Sequence, residues 1–106
     1  ILLEELKAAF TPQTVLVAVQ HVNHDIGTLQ PIAEVGQICA AKSVPLYVDC
    51  EASAGWLPID VKAWGAALVS FSPHRFYGPK GVGVLYRNKK ARIVSIIHGG
   101  VQEGGR

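Results

Sequence analysis

Three short apolar runs, each ending in a polar loop, do most to limit how this chain can fold. They are Val15-Leu16-Val17-Ala18-Val19, Leu46-Tyr47-Val48 and Ala67-Leu68-Val69-Ser70-Phe71. Near-continuous apolar runs of this length mark parallel strands that are covered on both faces. Between the first two, Pro31 opens a stretch with Ile32, Val35, Ile38 and Cys39 on one helical stripe. Leu2, Leu3, Leu6, Ala9 and Phe10 recur at the same period, so residues 1–10 are expected to form an amphipathic helix that Thr11-Pro12 ends. A short helix is expected around Val61. Strand, helix, strand, short helix, strand predicts an α/β fold, a mostly parallel sheet with helices on both faces.

Residues 82–86 follow the Gly78-Pro79 turn with no helix before them. That suits a fourth strand running antiparallel at an edge. Residues 93–97 are expected as a fifth strand or an extended segment.

Ligands in such sheets bind beyond the carboxyl ends of the strands. The loop carrying His21 and His24 follows the first run, Asp49 ends the second, and Ser72, His74 and Arg75 follow the third. These polar groups are therefore expected to converge on one crevice. Each also has an ordinary use: Asp49 suits a cap, and serine and histidine serve local loop hydrogen bonding. His21 and His24 with Asp25 have a spacing that could begin a metal site, but no helix frames them and no metal is expected.

Composition limits the partners. A net charge of +2 favours neither nucleic acid nor a charged surface, and the basic run over residues 87–92 reads as a solvated turn. No apolar run is long enough to span a bilayer, so no membrane partner is expected. Cys39 and Cys50 lack metal-type spacing, and a reduced, cytoplasmic setting is the expectation.

Five segments in order resemble the cysteine desulfurases of the class V aminotransferase family, enzymes that use pyridoxal 5'-phosphate (PLP). His21-Val22-Asn23-His24-Asp25-Ile26-Gly27 is similar to the family's H-x-N-N-E-x-G loop, and Val48-Asp49-Cys50-Glu51-Ala52-Ser53 to its V-D-A-x-Q-S strand end. Ser70-Phe71-Ser72-Pro73-His74-Arg75-Phe76-Tyr77-Gly78-Pro79-Lys80-Gly81 is similar to its lysine-bearing loop. Residues 81–86 resemble the strand after that loop. His98-Gly99-Gly100-Val101-Gln102-Glu103-Gly104-Gly105 resembles the opening of its H-G-G-x-x-E-x-G-x-R-x-G-T segment. With no methionine, a start inside an amphipathic pattern and an end inside this last motif, residues 1–106 read as part of a large, cofactor-binding domain of a longer protein.

The resemblance implies roles. Asp49 would pair with the pyridinium nitrogen of PLP, Ser72 and His74 would hold its phosphate, and His21, a catalytic candidate, would open the loop in the region that covers its ring. It implies a homodimer acting on L-cysteine. Such enzymes move sulfur to an enzyme cysteine as a persulfide, release alanine, and supply sulfur acceptors or iron–sulfur scaffold proteins.

The departures are as informative. Arg75 stands where the family has the lysine that forms a Schiff base with PLP, and a guanidinium offers no free amine. Ala52 replaces a glutamine that bonds the phenolic oxygen of PLP, and His24 replaces a nearby asparagine. Lys80 matches a lysine of the family's G-P-K-G turn that does not hold the cofactor. The expectation is a cysteine desulfurase-like protein, altered or inactive, that binds PLP non-covalently if at all. The alternatives are a non-catalytic scaffold or binding homologue, and a site for a phosphate-bearing ligand without covalent chemistry.

Overall fold

A computed structural model describes residues 1–100. Helix α1 spans Leu3–Ala9, strand β1 Val17–Gln20, helix α2 Ile32–Ala41, strand β2 Leu46–Asp49, strand β3 Leu68–Phe71 and strand β4 Val84–Arg87, with a 3₁₀ turn over Pro73–Phe76. The four strands form one sheet in the order β1-β2-β3-β4. β1 and β2 pair in parallel with Val17 opposite Leu46, as do β2 and β3 with Val48 opposite Val69. β4 returns antiparallel at the edge, Tyr86 opposite Val69.

Side-chain alternation divides the sheet into two unlike faces. Val17, Leu46, Val48 and Val69 point into the core, where α2 covers them with Ile32, Val35 and Cys39. These three recur at helical spacing, and Gly36 completes the stripe. It has a separate reason to be glycine: a Cβ there would meet the Trp64 carbonyl oxygen. Helix α1 lays Leu3 and Leu6 against the same cluster. Glu4 and Glu5 in its first turn and Lys7 in its last complement its dipole.

The other face carries Ala18, Tyr47, Leu68 and Arg87 in one row, and Gln20, Asp49, Ser70 and Leu85 in the next. Ala18 and Leu85 there are exposed. The mostly parallel sheet is as expected, but among the described residues both α-helices lie on one face. The strands alternate between buried and half-exposed positions and are not buried throughout.

Two further expectations change. Around Val61 there is a turn: the Asp60 carboxylate accepts the Lys62 and Ala63 N–H groups, and the Trp64 N–H closes on the Asp60 carbonyl. The Asp60 carboxylate caps this turn as it would cap a helix, and Gly65, at a φ of 61°, ends it with the Ala66 N–H on the Val61 carbonyl at 3.1 Å. Residues 93–97 form no strand; Val94, Ile96 and Ile97 are exposed. The H-G-G-type motif enters the described residues only through His98, Gly99 and Gly100, and its remainder from Val101 onward lies outside them.

Candidate functional site

The sheet ladder continues past the strand ends and ties the loops together. The His21 N–H donates to the Asp49 carbonyl at 2.8 Å, and the Cys50 N–H to the Ser70 carbonyl at 2.8 Å. Three polar loops therefore leave the same end of the sheet side by side, as strand order demands.

The first loop, residues 21–30, closes on itself. Asn23 Oδ1 accepts the Asp25 and Ile26 N–H groups, Val22 bridges Leu29, and Gly27 turns the chain at a φ of 70°. His24 stays exposed, its Nδ1 3.4 Å from Gln20 Nε2. In the second loop, Asp49 Oδ1 accepts the Glu51 N–H at 2.9 Å, which fixes the backbone from which Glu51 projects. The third loop is the 3₁₀ turn. Pro73 opens it, Tyr77 ends it in the left-handed region at φ 68°, and the Phe76 ring packs 6.0 Å from that of Phe71. Phe76 also presses on Gly55, whose φ of 81° and missing side chain make the contact possible. That contact interlocks the second and third loops and sets Arg75 opposite Glu51.

Glu51 is the hub of the crevice. Its Oε2 accepts from Ser72 Oγ at 3.3 Å, and its Oε1 lies 3.5 Å from Arg75 Nε and 3.8 Å from His74 Nε2. Ser72 and His74 were expected to hold phosphate and Arg75 to stand at the lysine position, and here one carboxylate gathers all three. Sequence reasoning passed over Glu51 because it fills a variable position in the resembling motif. A charge one residue before Ala52, in a loop expected to hold an anion, was the available signal.

Two adjoining clefts open beside this cluster. The larger, of about 580 Å³, is lined by His24, Ala52, Trp56, His74 and Arg75 among others. The smaller, of about 230 Å³, adds Gln20, Asp49 and Glu51. Asp49, His24, Ala52, His74 and Arg75 thus converge on the crevice, and Ser72 joins them through Glu51. No lysine lines either cleft.

His21 is placed otherwise. It is buried, Nδ1 lies 3.0 Å from Ser53 Oγ, and its ring packs edge-on to Trp64 at 4.7 Å. Burial pushes its pKa below the usual histidine value, so the neutral ring is favoured. It lines neither cleft. Among the described residues no cluster of three or more His, Cys, Asp or Glu side chains could hold a metal.

The residues fit PLP in part. A carboxylate at a strand end and hydroxyl, imidazole and guanidinium donors beside an open cleft suit a charged ring bearing phosphate. The covalent anchor does not fit, because among the described residues Arg75 alone of the Lys and Arg side chains lines either cleft.

Comparison with known proteins agrees with this architecture. The family model "Aminotransferase class-V" matches residues 1–101. A "Cysteine desulfurase IscS" of Glaesserella parasuis is 50% identical over 103 residues, covering 95% of this chain and 25% of that protein. The "Cysteine desulfurase, mitochondrial" of Arabidopsis thaliana is 46% identical over 105 residues, 97% of this chain and 23% of that protein. The chain spans about a quarter of the length of these curated relatives. Among solved structures, "SspA in complex with cysteine" superposes with a TM-score of 0.94 at 37% identity over 99% of this chain and 31% of its own. A NifS-like protein from Rickettsia africae gives 0.85 at 33% over 97% of this chain and 29% of its own.

Proposed function

This chain belongs to the class-V aminotransferase family, and from that premise we propose that it is part of the large, cofactor-binding domain of a cysteine desulfurase-like protein that has lost covalent attachment of its cofactor. The family to which it belongs is PLP-dependent. When bound, PLP supplies an electron sink for chemistry at the carbon beside a substrate amino group. Here Asp49 would face the ring nitrogen, and Ser72, His74 and Arg75 would hold the phosphate.

The carrying observation is Arg75, which lines both clefts where no lysine does. Its guanidinium stays protonated and offers no nucleophilic amine, yet its planar fork suits phosphate oxygens. Lys80 lies five positions further along, past the Tyr77 turn.

Our reading of the whole protein is a cytoplasmic homodimer with L-cysteine as the substrate class and a sulfur acceptor or iron–sulfur scaffold as partner, its turnover reduced or absent. The relatives' names support the substrate, and the half-exposed second face of the sheet supports further contacts. No helix among the described residues is long and apolar enough to cross a membrane.

The test is borohydride reduction of the whole protein supplied with PLP, followed by peptide mapping. The expected result is an absorption spectrum of bound but unlinked PLP and no modified lysine. A PLP adduct on Lys80, or on any lysine required for sulfur release from L-cysteine, refutes the reading.

A further inference from the structure

We infer that Glu51 is a built-in anion occupying the donors of the crevice, so that a phosphate-bearing ligand enters by displacing its side chain. This rests on the reading of the crevice as an anion site. It adds that the chain carries its own competitor for that site.

Three observations converge. The Glu51 carboxylate meets Ser72 Oγ, His74 Nε2 and Arg75 Nε together, which are the hydroxyl, imidazole and guanidinium that a phosphate group would use. These contacts, at 3.3, 3.8 and 3.5 Å, are longer than the 2.7–2.9 Å of a tight charge-assisted bond. They describe a carboxylate held loosely among three separate donors. A phosphate, with three terminal oxygens, matches three separate donors better.

Second, only the side chain must move. The Glu51 N–H stays bonded to Asp49 Oδ1, and the turn behind it is pinned by the Ala54 N–H on the Cys50 carbonyl at 2.8 Å. The side chain is 39% exposed, so solvent receives it when it leaves.

Third, the charge count requires the exchange. Among the described residues, the smaller cleft sets two carboxylates, Asp49 and Glu51, against the guanidinium of Arg75. A phosphate dianion added to that set meets repulsion, whereas one that replaces Glu51 takes over its pairing with Arg75. One unit charge about 4 Å away in water-like surroundings changes affinity by roughly fivefold for a monoanion and roughly thirtyfold for a dianion.

The experiment titrates the whole protein with inorganic phosphate and follows the Arg75 Nε–H resonance, in wild type, Glu51→Gln and Arg75→Gln. Glutamine keeps the size and removes the charge at a half-exposed position, so folding is retained. Glu51→Gln is expected to bind phosphate more tightly than wild type, by about fivefold for the monoanion and up to about thirtyfold for the dianion, and Arg75→Gln more weakly. In phosphate-free wild type the Arg75 resonance should already sit at its paired position, and Glu51→Gln should move it until phosphate restores it. Equal phosphate affinity in wild type and Glu51→Gln overturns the inference, as does an Arg75 resonance indifferent to Glu51→Gln. Failure of phosphate to bind any of the three proteins, with the resonance still responding to Glu51→Gln, overturns the anion-site reading itself and leaves an ion pair alone.

Discussion

His21 Nδ1 and Ser53 Oγ lie 3.0 Å apart, both buried, and join the loop after β1 to the loop after β2 from below. The Ser53 hydroxyl also donates to the Cys50 carbonyl at 3.3 Å, which leaves an oxygen lone pair for the Nδ1–H of His21. Ser53→Ala would strip the partner from a buried imidazole nitrogen. A loss of about 1–3 kcal/mol is expected, read from denaturant unfolding of the whole protein.

The same histidine makes stability depend on pH. Burial lowers its folded pKa below the unfolded value of 6.5. The unfolded chain therefore binds the proton first, and stability is full above about pH 6.5 and falls as the pH drops below it. His21→Gln, measured across pH 5–8, should flatten that part of the profile. An unchanged slope would show that other groups set it.

Gly36→Ala tests how closely α2 approaches the Trp64 turn. The added methyl would overlap the Trp64 carbonyl oxygen, with the carbonyl carbon 2.9 Å away, and backbone cannot rotate aside as a side chain does. A loss of about 3 kcal/mol is expected from overpacking. Alanine's better helix propensity recovers at most about 1 kcal/mol. A stabilised variant would mean that the helix sits further out than described.

Cys39 and Cys50 should be inert. Burial raises both thiol pKa values; at Cys50 the Ser53 hydrogen bond opposes this and the Asp49 charge adds to it. Thiolate is the reactive form, so a thiol reagent at pH 8 should label neither cysteine until denaturant is added. The raised values also imply that stability declines as the pH climbs through the unfolded thiol value of 9.0, because the unfolded chain then releases protons first.

Arg75→Lys returns a primary amine to both clefts. Borohydride trapping in the presence of PLP should then mark residue 75. Turnover of L-cysteine is expected to stay about a hundredfold below that of the variant that also carries Ala52→Gln, a typical cost of one missing hydrogen bond to a reacting group. Equal turnover in the two variants would remove Ala52 from the account.

What could be read from the residues in order was whatever repeats locally. Val15–Val19, Leu46–Val48 and Ala67–Phe71 announce strands because burial imposes a run on the chain itself, and the observed strands begin or end within two residues of those limits. The convergence of Asp49, His74 and Arg75 followed from strand direction alone, since parallel strands end together. The short helix expected around Val61 is instead a single turn, capped by the Asp60 side chain and closed by the Ala66 N–H on the Val61 carbonyl.

Only the tertiary structure decided which face was covered, where His21 went, and what Glu51 does. Residue 21 meets Ser53 and Trp64, and Glu51 meets groups 21 to 24 positions away. Such contacts depend on how loops from different strands interlock, through Phe76 settling on Gly55. A hydrophobic pattern records that a residue is buried or exposed. It carries no record of which distant partner a polar side chain will find, because that choice is made by geometry after the strands have assembled.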